Sequence, residues 1–271
     1  MRLTVVGCGT AQPQPDTPAS GLLVESGDTR LLLDCGQGVI ARLSRRIDPR
    51  HLSAVVVGHL HADHYVDLVG LRYLFPWAGR SPRRLPVHLP PGGQVRMTEL
   101  ASAVSERPAF FDDAFAVADF DPAAKLAVGE LRVRFIRGQH YVPAWGVEVT
   151  DPAGRRIVYA GDTGPNALTV EAARRADLFV CEATLDCADD DDEVRGHLTI
   201  DEAIDMAEAA QVERALIVHY PSARRSLIRR RCVDRGGLAA VALPDMVVDL
   251  SEGMPTCPGD QSPLRAPVEV G

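Results

Sequence analysis

The sequence has little of what marks membrane, secreted or disordered proteins. No stretch of its 271 residues approaches the ~18 to 20 uninterrupted apolar residues of a membrane span. Glycines and prolines follow the short apolar start at once, which is not typical of a signal peptide. The six cysteines are too few for a disulfide framework and lack zinc-ribbon spacing. We therefore expect a globular, reduced, cytoplasmic protein with no membrane partner.

Basic residues are also fewer than acidic ones. The chain has 29 Lys and Arg against 37 Asp and Glu, a net charge of −8. A broadly acidic surface does not favour non-specific binding of nucleic acid, although a local basic patch is compatible with it.

Short apolar runs with the composition of β-strands recur along the chain, and helical stretches lie between some of them. Helices are predicted over 66–74, over 200–210 after Thr199 as N-cap, and from a cap at Ser222 to about 235. The pattern is that of an α/β fold. The predicted strands are 3–6, 22–25, 30–34, 54–57, 131–136, 146–150, 157–160, 178–181 and 215–218.

One strand–turn–strand unit occurs twice. The first copy ends at Asp34-x-Gly36 and the second at Asp162-x-Gly164. The repetition predicts a fold of two similar halves. Since no linker divides the chain, we expect one domain over 1–250 and a loose tail over 251–271.

The segment AVVVGHLHADHY contains the strongest chemical signal. A buried strand runs into Gly58, and His59, His61, Asp63 and His64 follow within six residues. His59 and His61 share one face if the backbone is extended. Four potential ligands this close would crowd one tetrahedral metal, but they can serve two.

Three further residues stand just past the ends of predicted strands. They are His140, Asp162 and His219. Ligands occupy this position in open α/β sheets. Together with the first segment, they complete a set of five histidines and two aspartates.

These residues resemble those of the metallo-β-lactamase superfamily, from the first strand to about His219. The resemblance implies a four-layer αβ/βα sandwich with its site at one edge. Zn²⁺ is the expected cation for an imidazole-rich set, with Mn²⁺ or Fe²⁺ as alternatives. The implied arrangement has His59, His61 and His140 on one metal, Asp63, His64 and His219 on the other, and Asp162 bridging.

Two metals ~3.5–4 Å apart lower the pKa of a bridging water, so that hydroxide is available near neutral pH. Asp63 would orient this water or take its proton, besides acting as a ligand. No cysteine replaces Asp162, which indicates the phosphodiesterase and hydrolase branches rather than a typical lactamase.

The segments FVCEAT and Gly196-His-Leu-Thr resemble the tRNase Z-like subgroup. The resemblance implies that Glu182 orients His197 and that His197 is the general acid. Protonation by a histidine greatly helps an alkoxide to leave. In the alternative interpretation, His197 belongs to a helix N-terminus and Glu182 is a surface acid.

One feature of enzymes that trim tRNA 3′ ends is missing, namely the long arm that grips tRNA. The interval between His140 and Asp162, where the bacterial short form carries it, has room only for the 146–160 hairpin. We therefore expect a small phosphodiester substrate such as a 3′,5′-cyclic nucleotide. The alternatives are an arm-less tRNA endonuclease, an ester, thioester or lactone hydrolase, or a binding protein that retains the site. The subgroup also suggests a homodimer.

Weaker signals lie around these motifs. Tyr73, Phe75 and Trp77 could stack on a base or form core. Arg224 or Arg225 could hold a phosphate. The acidic run 189–193 is expected to be a solvated loop that could act as a gate, and nothing marks Cys8 or Cys35 as reactive.

Overall fold

The computed structural model describes residues 1–77, 83–107, 109–191 and 194–251. Within these ranges, the strands form two seven-stranded sheets. Among the described residues, no helix combines the length and apolar composition that crossing a bilayer requires. The predicted tail lies almost wholly outside the described residues, and the domain boundary at 250 stays a prediction.

The first sheet has the strand order β14-β1-β2-β3-β4-β5-β6. β14, β1, β2 and β3 pair antiparallel, and β3 to β6 pair parallel. The strands are β1 (Arg2–Gly7), β2 (Gly21–Ser26), β3 (Thr29–Leu33), β4 (Ala54–Val56), β5 (Leu85–Leu89), β6 (Phe115–Asp119) and β14 (Val247–Asp249).

The second sheet has the order β13-β12-β11-β10-β9-β8-β7. β7 to β10 pair antiparallel, and β10 to β13 pair parallel. The strands are β7 (Leu126–Val128), β8 (Leu131–Arg137), β9 (Trp145–Thr150), β10 (Arg156–Tyr159), β11 (Leu178–Glu182), β12 (Ala215–Val218) and β13 (Ala239–Val241).

The two sheets therefore repeat one pattern of three antiparallel pairings followed by three parallel ones. β3 corresponds to β10 and β4 to β11, as the repeated hairpin predicts. This confirms the α/β sandwich of two similar halves.

The helices are α1 (Val39–Leu43), α2 (Ala62–Tyr65), α3 (Leu68–Arg72), α4 (Gly93–Val104), α5 (Ala167–Ala173), α6 (Ile200–Ala209) and α7 (Arg225–Asp234).

Alternation along the strands divides the apolar residues between two cores. On β3, Leu31 and Leu33 belong to a cluster that contains strand residues of both sheets, such as Val147 of β9. Leu32 points the other way, into a cluster made by the first sheet and its helices. Successive side chains of a strand face opposite sides, so the first cluster includes the filling of the sandwich, and it continues through the second sheet to α5, α6 and α7.

The predicted strands and the helix after Thr199 are confirmed. Thr199 caps α6 through a reciprocal pair of hydrogen bonds with Glu202. The helix predicted over 66–74 is shorter than expected, because the Asp67 N–H donates to Cys35 O at 3.0 Å and the chain re-enters a helix only at Leu68.

The predicted cap at Ser222 is wrong. Its side chain makes no capping hydrogen bond; Ser222 instead starts a 3₁₀ turn, Ser222–Arg224, and α7 begins at Arg225. The Ser222 N–H donates to Gln14 Oε1 at 2.7 Å, so a residue distant in sequence satisfies this helix start.

Candidate metal centre

All seven predicted ligand residues meet at one edge of the sandwich. Each follows the C-terminal end of a strand, either in a loop or, for two of them, in α2. Strands that run in the same direction within a sheet place their C-terminal ends at the same edge, so these residues come close together. β4 leads to His59, His61, Asp63 and His64; β8 leads to His140; β10 leads to Asp162; and β12 leads to His219.

Three imidazoles form the first ligand group. His61 Nδ1 lies 3.1 Å from His59 Nε2 and 3.0 Å from His140 Nε2. Tetrahedral Zn²⁺ with bonds of ~2.0–2.1 Å places its ligand nitrogens about 3.3 Å apart. The three nitrogens are therefore spaced as ligands of one cation would be, and they form a candidate metal-binding group.

Four buried side chains form the second group: Asp63, His64, Asp162 and His219. Asp63 Oδ2 lies 3.1 Å from His219 Nε2. Asp162 Oδ2 lies 3.3 Å from His64 Nε2 and 3.4 Å from His219 Nε2. Two imidazoles and two carboxylates are again a donor set that suits Zn²⁺ and its neighbours.

Asp162 lies between the two groups. Its Oδ2 is 3.8 Å from His59 Nε2, although it belongs to the second group. Its Oδ1 is buried and has no hydrogen-bond partner among the described residues. An unpaired buried carboxylate oxygen is costly unless a cation or another donor meets it. This oxygen is the strongest sign in the structure that the residues fit a metal.

A buried carboxylate orients His64 from behind. Asp34 Oδ2 accepts hydrogen bonds from His64 Nδ1 at 2.8 Å and from the Tyr159 hydroxyl at 2.8 Å. Asp34 Oδ1 accepts from Gly58 N at 2.9 Å, just before His59. Because Nδ1 carries the proton, His64 Nε2 is free to face the ligand group. In the sequence, the signal that marks Asp34 is its place at the end of the first strand–turn–strand unit.

Two further histidines are oriented in the same way. His140 Nδ1 donates to Gly196 O at 2.8 Å, and His219 Nδ1 donates to Thr184 Oγ1 at 2.9 Å. In both, Nε2 turns toward the ligand groups. Neither Gly196 nor Thr184 is a candidate on sequence grounds, although both lie in the segments that resemble tRNase Z.

The charges in the site suit metal ligation. Burial holds the pKa of His59 well below its usual value, so this imidazole is neutral. Burial raises the pKa of Asp162, but His219 and His64 outweigh it and hold the pKa well below its usual range. Burial lowers the pKa of His64, but Asp162 and Asp34 outweigh it and raise the pKa well above its usual value. Metal ligation requires the carboxylate ionised and the imidazole unprotonated, so a cation would displace a proton from His64.

Glu182 and His197 lie together beside both groups. Glu182 ends β11 and is fully buried, so its interpretation as a surface acid is wrong. His197 Nδ1 lies 2.7 Å from Glu182 Oε1, which also accepts from Thr163 N at 3.0 Å. The His197 ring is 4.9 Å from that of His140 and 5.7 Å from that of His219.

Glu182 also changes the acidity of His197. Burial lowers the pKa of the imidazole, but the hydrogen bond and charge of Glu182 outweigh it and raise the pKa to about 9. The two ligand groups would bring positive charge close to this ring when cations are bound, which opposes the shift.

The neighbouring aromatic residues are mostly core. Phe75 is buried. The Trp77 ring packs on the buried Arg72 guanidinium, whose Cζ lies 3.7 Å from the ring centroid. Tyr73 alone of the predicted trio is largely exposed. Stacking on a base therefore stays a prediction for Tyr73.

The remaining predicted residues have ordinary surroundings. Arg224 donates to Thr184 O at 2.9 Å and pairs with Asp186, so protein groups already engage one of the two arginines predicted to hold phosphate. Cys8 and Cys35 are buried, and burial raises the pKa of Cys8 to about 12 and that of Cys35 well above its usual value. Thiols in such surroundings are unreactive.

Comparison with known proteins identifies the family. The Beta-lactamase superfamily domain matches residues 29–220 of this chain. The chain is 36% identical over 227 residues to the Mycobacterium leprae protein ML1173, covering 82% of this chain and 78% of that protein. It is 31% identical over 308 residues to ribonuclease Z of Halorubrum lacusprofundi, covering 90% of this chain and 98% of that protein.

A solved structure shows the same architecture. The crystal structure of YhfI from Bacillus subtilis, described as a metallo-β-lactamase fold protein, superposes with a TM-score of 0.79 and 25% identity. It covers 91% of this chain and 98% of YhfI, which is named a probable metallo-hydrolase. The chain belongs to the metallo-β-lactamase superfamily. Within it, the chain is similar to YhfI and to tRNase Z-like proteins, and membership implies a hydrolase that uses divalent metal ions.

Proposed function

We propose that this protein is a dinuclear metal-dependent phosphodiesterase that acts on a small phosphodiester, such as a 3′,5′-cyclic nucleotide. The observation that carries the proposal is the Glu182–His197 pair beside two ligand groups. An alkoxide leaves a phosphodiester much faster when an acid protonates it. A thiolate leaves without that help, so such a pair would bring less benefit to a thioesterase.

In this proposal, each ligand group would hold one divalent cation, and Asp162, which lies between the groups, would be shared by them. Zn²⁺ is the expected metal, with Mn²⁺ or Fe²⁺ as alternatives. When bound, such cations would lower the pKa of a water molecule and polarise a phosphoryl oxygen. The ligand residues are His59, His61 and His140 for one cation, and Asp63, His64 and His219 for the other.

The chain's own residues supply the proton transfers. Asp63 orients the attacking water or takes its proton, besides acting as a ligand. His197 gives a proton from Nε2 to the leaving oxygen, because its Nδ1 is engaged with Glu182 Oε1. The Glu182 carboxylate stabilises the imidazolium before the transfer. Hydrogen bonds from Thr163 N, Leu198 N and the Thr184 hydroxyl hold Glu182 in place.

Two observations support a small substrate. The described interval from His140 to Asp162 contains β9, β10 and short loops, with no protruding insertion. The net charge of −8 opposes a long polyanion. The similarity to ribonuclease Z supports the second candidate, a tRNA 3′-end endonuclease that works without an arm.

The test compares leaving groups in the variant His197→Ala. Its metal content should stay that of the wild type, since no proposed ligand is lost. Turnover of 3′,5′-cyclic AMP should fall ~10²–10⁴-fold, the usual contribution of a positioned acid. A bis-nitrophenyl phosphodiester should lose much less, because nitrophenolate leaves without a proton.

The matched control is His59→Ala, which should lose metal and damage both reactions. Equal losses on both substrates in His197→Ala would contradict the general-acid role. The wild type should also be compared on precursor tRNA and a lactone. If either substrate is turned over far faster than every small diester, the proposed substrate class is wrong.

A further inference from the structure

Three residues beside His197 are joined by hydrogen bonds, and the central one is Asp191 of the acidic run. Asp191 accepts hydrogen bonds at both carboxylate oxygens, from the Tyr141 hydroxyl at Oδ1 and from Gly196 N at Oδ2, the latter at 2.8 Å. We call Tyr141, Asp191 and Gly196 the Asp191 clamp. It joins the loop after β8 to the segment before α6, which are distant in sequence.

The clamp lies directly against two residues of the proposed mechanism. Tyr141 follows His140, and Gly196 precedes His197. The Tyr141 ring centroid is 4.8 Å from that of His140 and 5.6 Å from that of His197. Gly196 O accepts the His140 Nδ1 proton. Gly196 therefore connects the two contacts. Its N–H donates to Asp191, and its carbonyl orients His140, a proposed ligand.

Gly196 is suited to this position because it has no side chain. A Cβ atom there would come within 2.5 Å of the Tyr141 ring. The ring can therefore close over the backbone just before His197. Gln139 adds a second tie, since its Nε2 donates to Arg195 O at 2.9 Å.

We infer that Asp191 is a positioning residue that holds His197 and His140 in their working orientations through Gly196 and Tyr141. The inference rests on the proposed function for its kinetic consequence. The clamp itself rests on hydrogen bonds alone. Asp191 reaches His140 and His197 through Gly196 and Tyr141. Its negative charge also acts directly on the His197 imidazole, so the test has to separate the position of Asp191 from its charge.

Position can be separated from charge with two substitutions at Asp191. Asp191→Ala removes both acceptors. Asp191→Asn removes the charge, but its amide oxygen can accept from Gly196 N while its amide N–H₂ donates to the Tyr141 oxygen. Asp189 is the matched control, because it is an exposed carboxylate two residues away in the same segment.

We expect Asp191→Ala to lower kcat on 3′,5′-cyclic AMP by about tenfold, the scale of losing hydrogen bonds to a charged acceptor, with little change in KM. The bis-nitrophenyl diester should lose clearly less, because its leaving group does not need His197. Asp191→Asn should recover most of the loss, and Asp189→Ala should equal the wild type. If Asn is as impaired as Ala, the positioning role is wrong, and if both substrates lose equally, the positioning of His197 is wrong.

A second measurement does not depend on activity. Amide hydrogen exchange in a peptide containing Gly196 should speed up in Asp191→Ala and stay near the wild type in Asp191→Asn and Asp189→Ala. Unchanged exchange in Asp191→Ala would overturn the clamp. If the clamp exchanges as expected but the wild type cleaves no phosphodiester, the proposed function fails and the clamp does not.

Discussion

Asp34 and Asp162 occupy equivalent places in the two halves of the molecule, yet their surroundings differ sharply. Asp34 follows β3 and Asp162 follows β10, the strand that corresponds to β3 in the second sheet. Asp34 uses both oxygens to accept hydrogen bonds from Gly58, His64 and Tyr159. Asp162 leaves Oδ1 without a partner in the described part of the chain.

We interpret the difference as two roles for equivalent positions, structural in one half and chemical in the other. A carboxylate whose acceptors are all engaged stabilises its neighbours and orients His64. A buried carboxylate with a free oxygen among imidazoles costs stability unless it meets a cation. We therefore expect Asp34 to matter most for folding and Asp162 to matter most for metal binding and turnover.

The largest expected effect is that of Asp162→Ala. Turnover of the small phosphodiester should fall about a thousandfold or more, since the carboxylate between the two groups is lost and several kcal/mol of transition-state stabilisation go with it. Metal content should also fall, as measured by elemental analysis after incubation with Zn²⁺. Normal metal content with nearly normal turnover would contradict the assignment of metal binding and turnover to Asp162.

Asp34→Ala should affect folding stability more than metal binding. The free energy of unfolding, measured with urea in the presence of a chelator, should fall by about 2–4 kcal/mol because three buried donors lose their acceptor. Metal affinity should weaken ~10–100-fold through the misoriented His64. In the isosteric control Asp34→Asn, the amide oxygen keeps part of the stability. A larger loss of stability in Asp162→Ala than in Asp34→Ala would reverse the assignment of the two roles.

The sequence predicted seven residues that the structure brings together at one edge of the sandwich, but not the contacts behind them. His59, His61, Asp63 and His64 are close in sequence, and the other three candidate ligands each follow an apolar run, so strand-end reasoning finds them. Asp34 could not be assigned, because its partner atoms come from Gly58, His64 and Tyr159, which only the folded sheets bring together. The same holds for Asp191, whose contacts depend on a loop conformation.

The fold was predictable to a similar degree. The longer apolar strands and the capped α6 follow from local patterns. The three-residue strands β7, β13 and β14 and the five-residue strand β6 did not appear in the prediction, because pairing with other strands rather than local periodicity defines them. Ser222 was misassigned for a related reason, since Gln14 satisfies its backbone N–H from the other end of the chain.

The smallest expected effect sharpens the same comparison. Tyr159→Phe removes the hydroxyl that reaches Asp34 across the two halves, at 2.8 Å. The free energy of unfolding should fall by about 1 kcal/mol, the usual net value of one hydrogen bond. Metal content should not change, because His64 and Gly58 still engage Asp34. A loss of metal in Tyr159→Phe would mean that Asp34 depends on this hydroxyl to orient His64.

The most direct test of the central claim is the number of metal ions that each chain binds. Purified protein, stripped with a chelator and then dialysed against Zn²⁺ or Mn²⁺, should carry close to two equivalents per chain by elemental analysis. Asp162→Ala, treated in parallel, should carry fewer, and Asp34→Asn should approach two once the metal is in excess. Two equivalents that depend on Asp162 are the predicted result. No bound metal in the wild type after either treatment would contradict the account of the site.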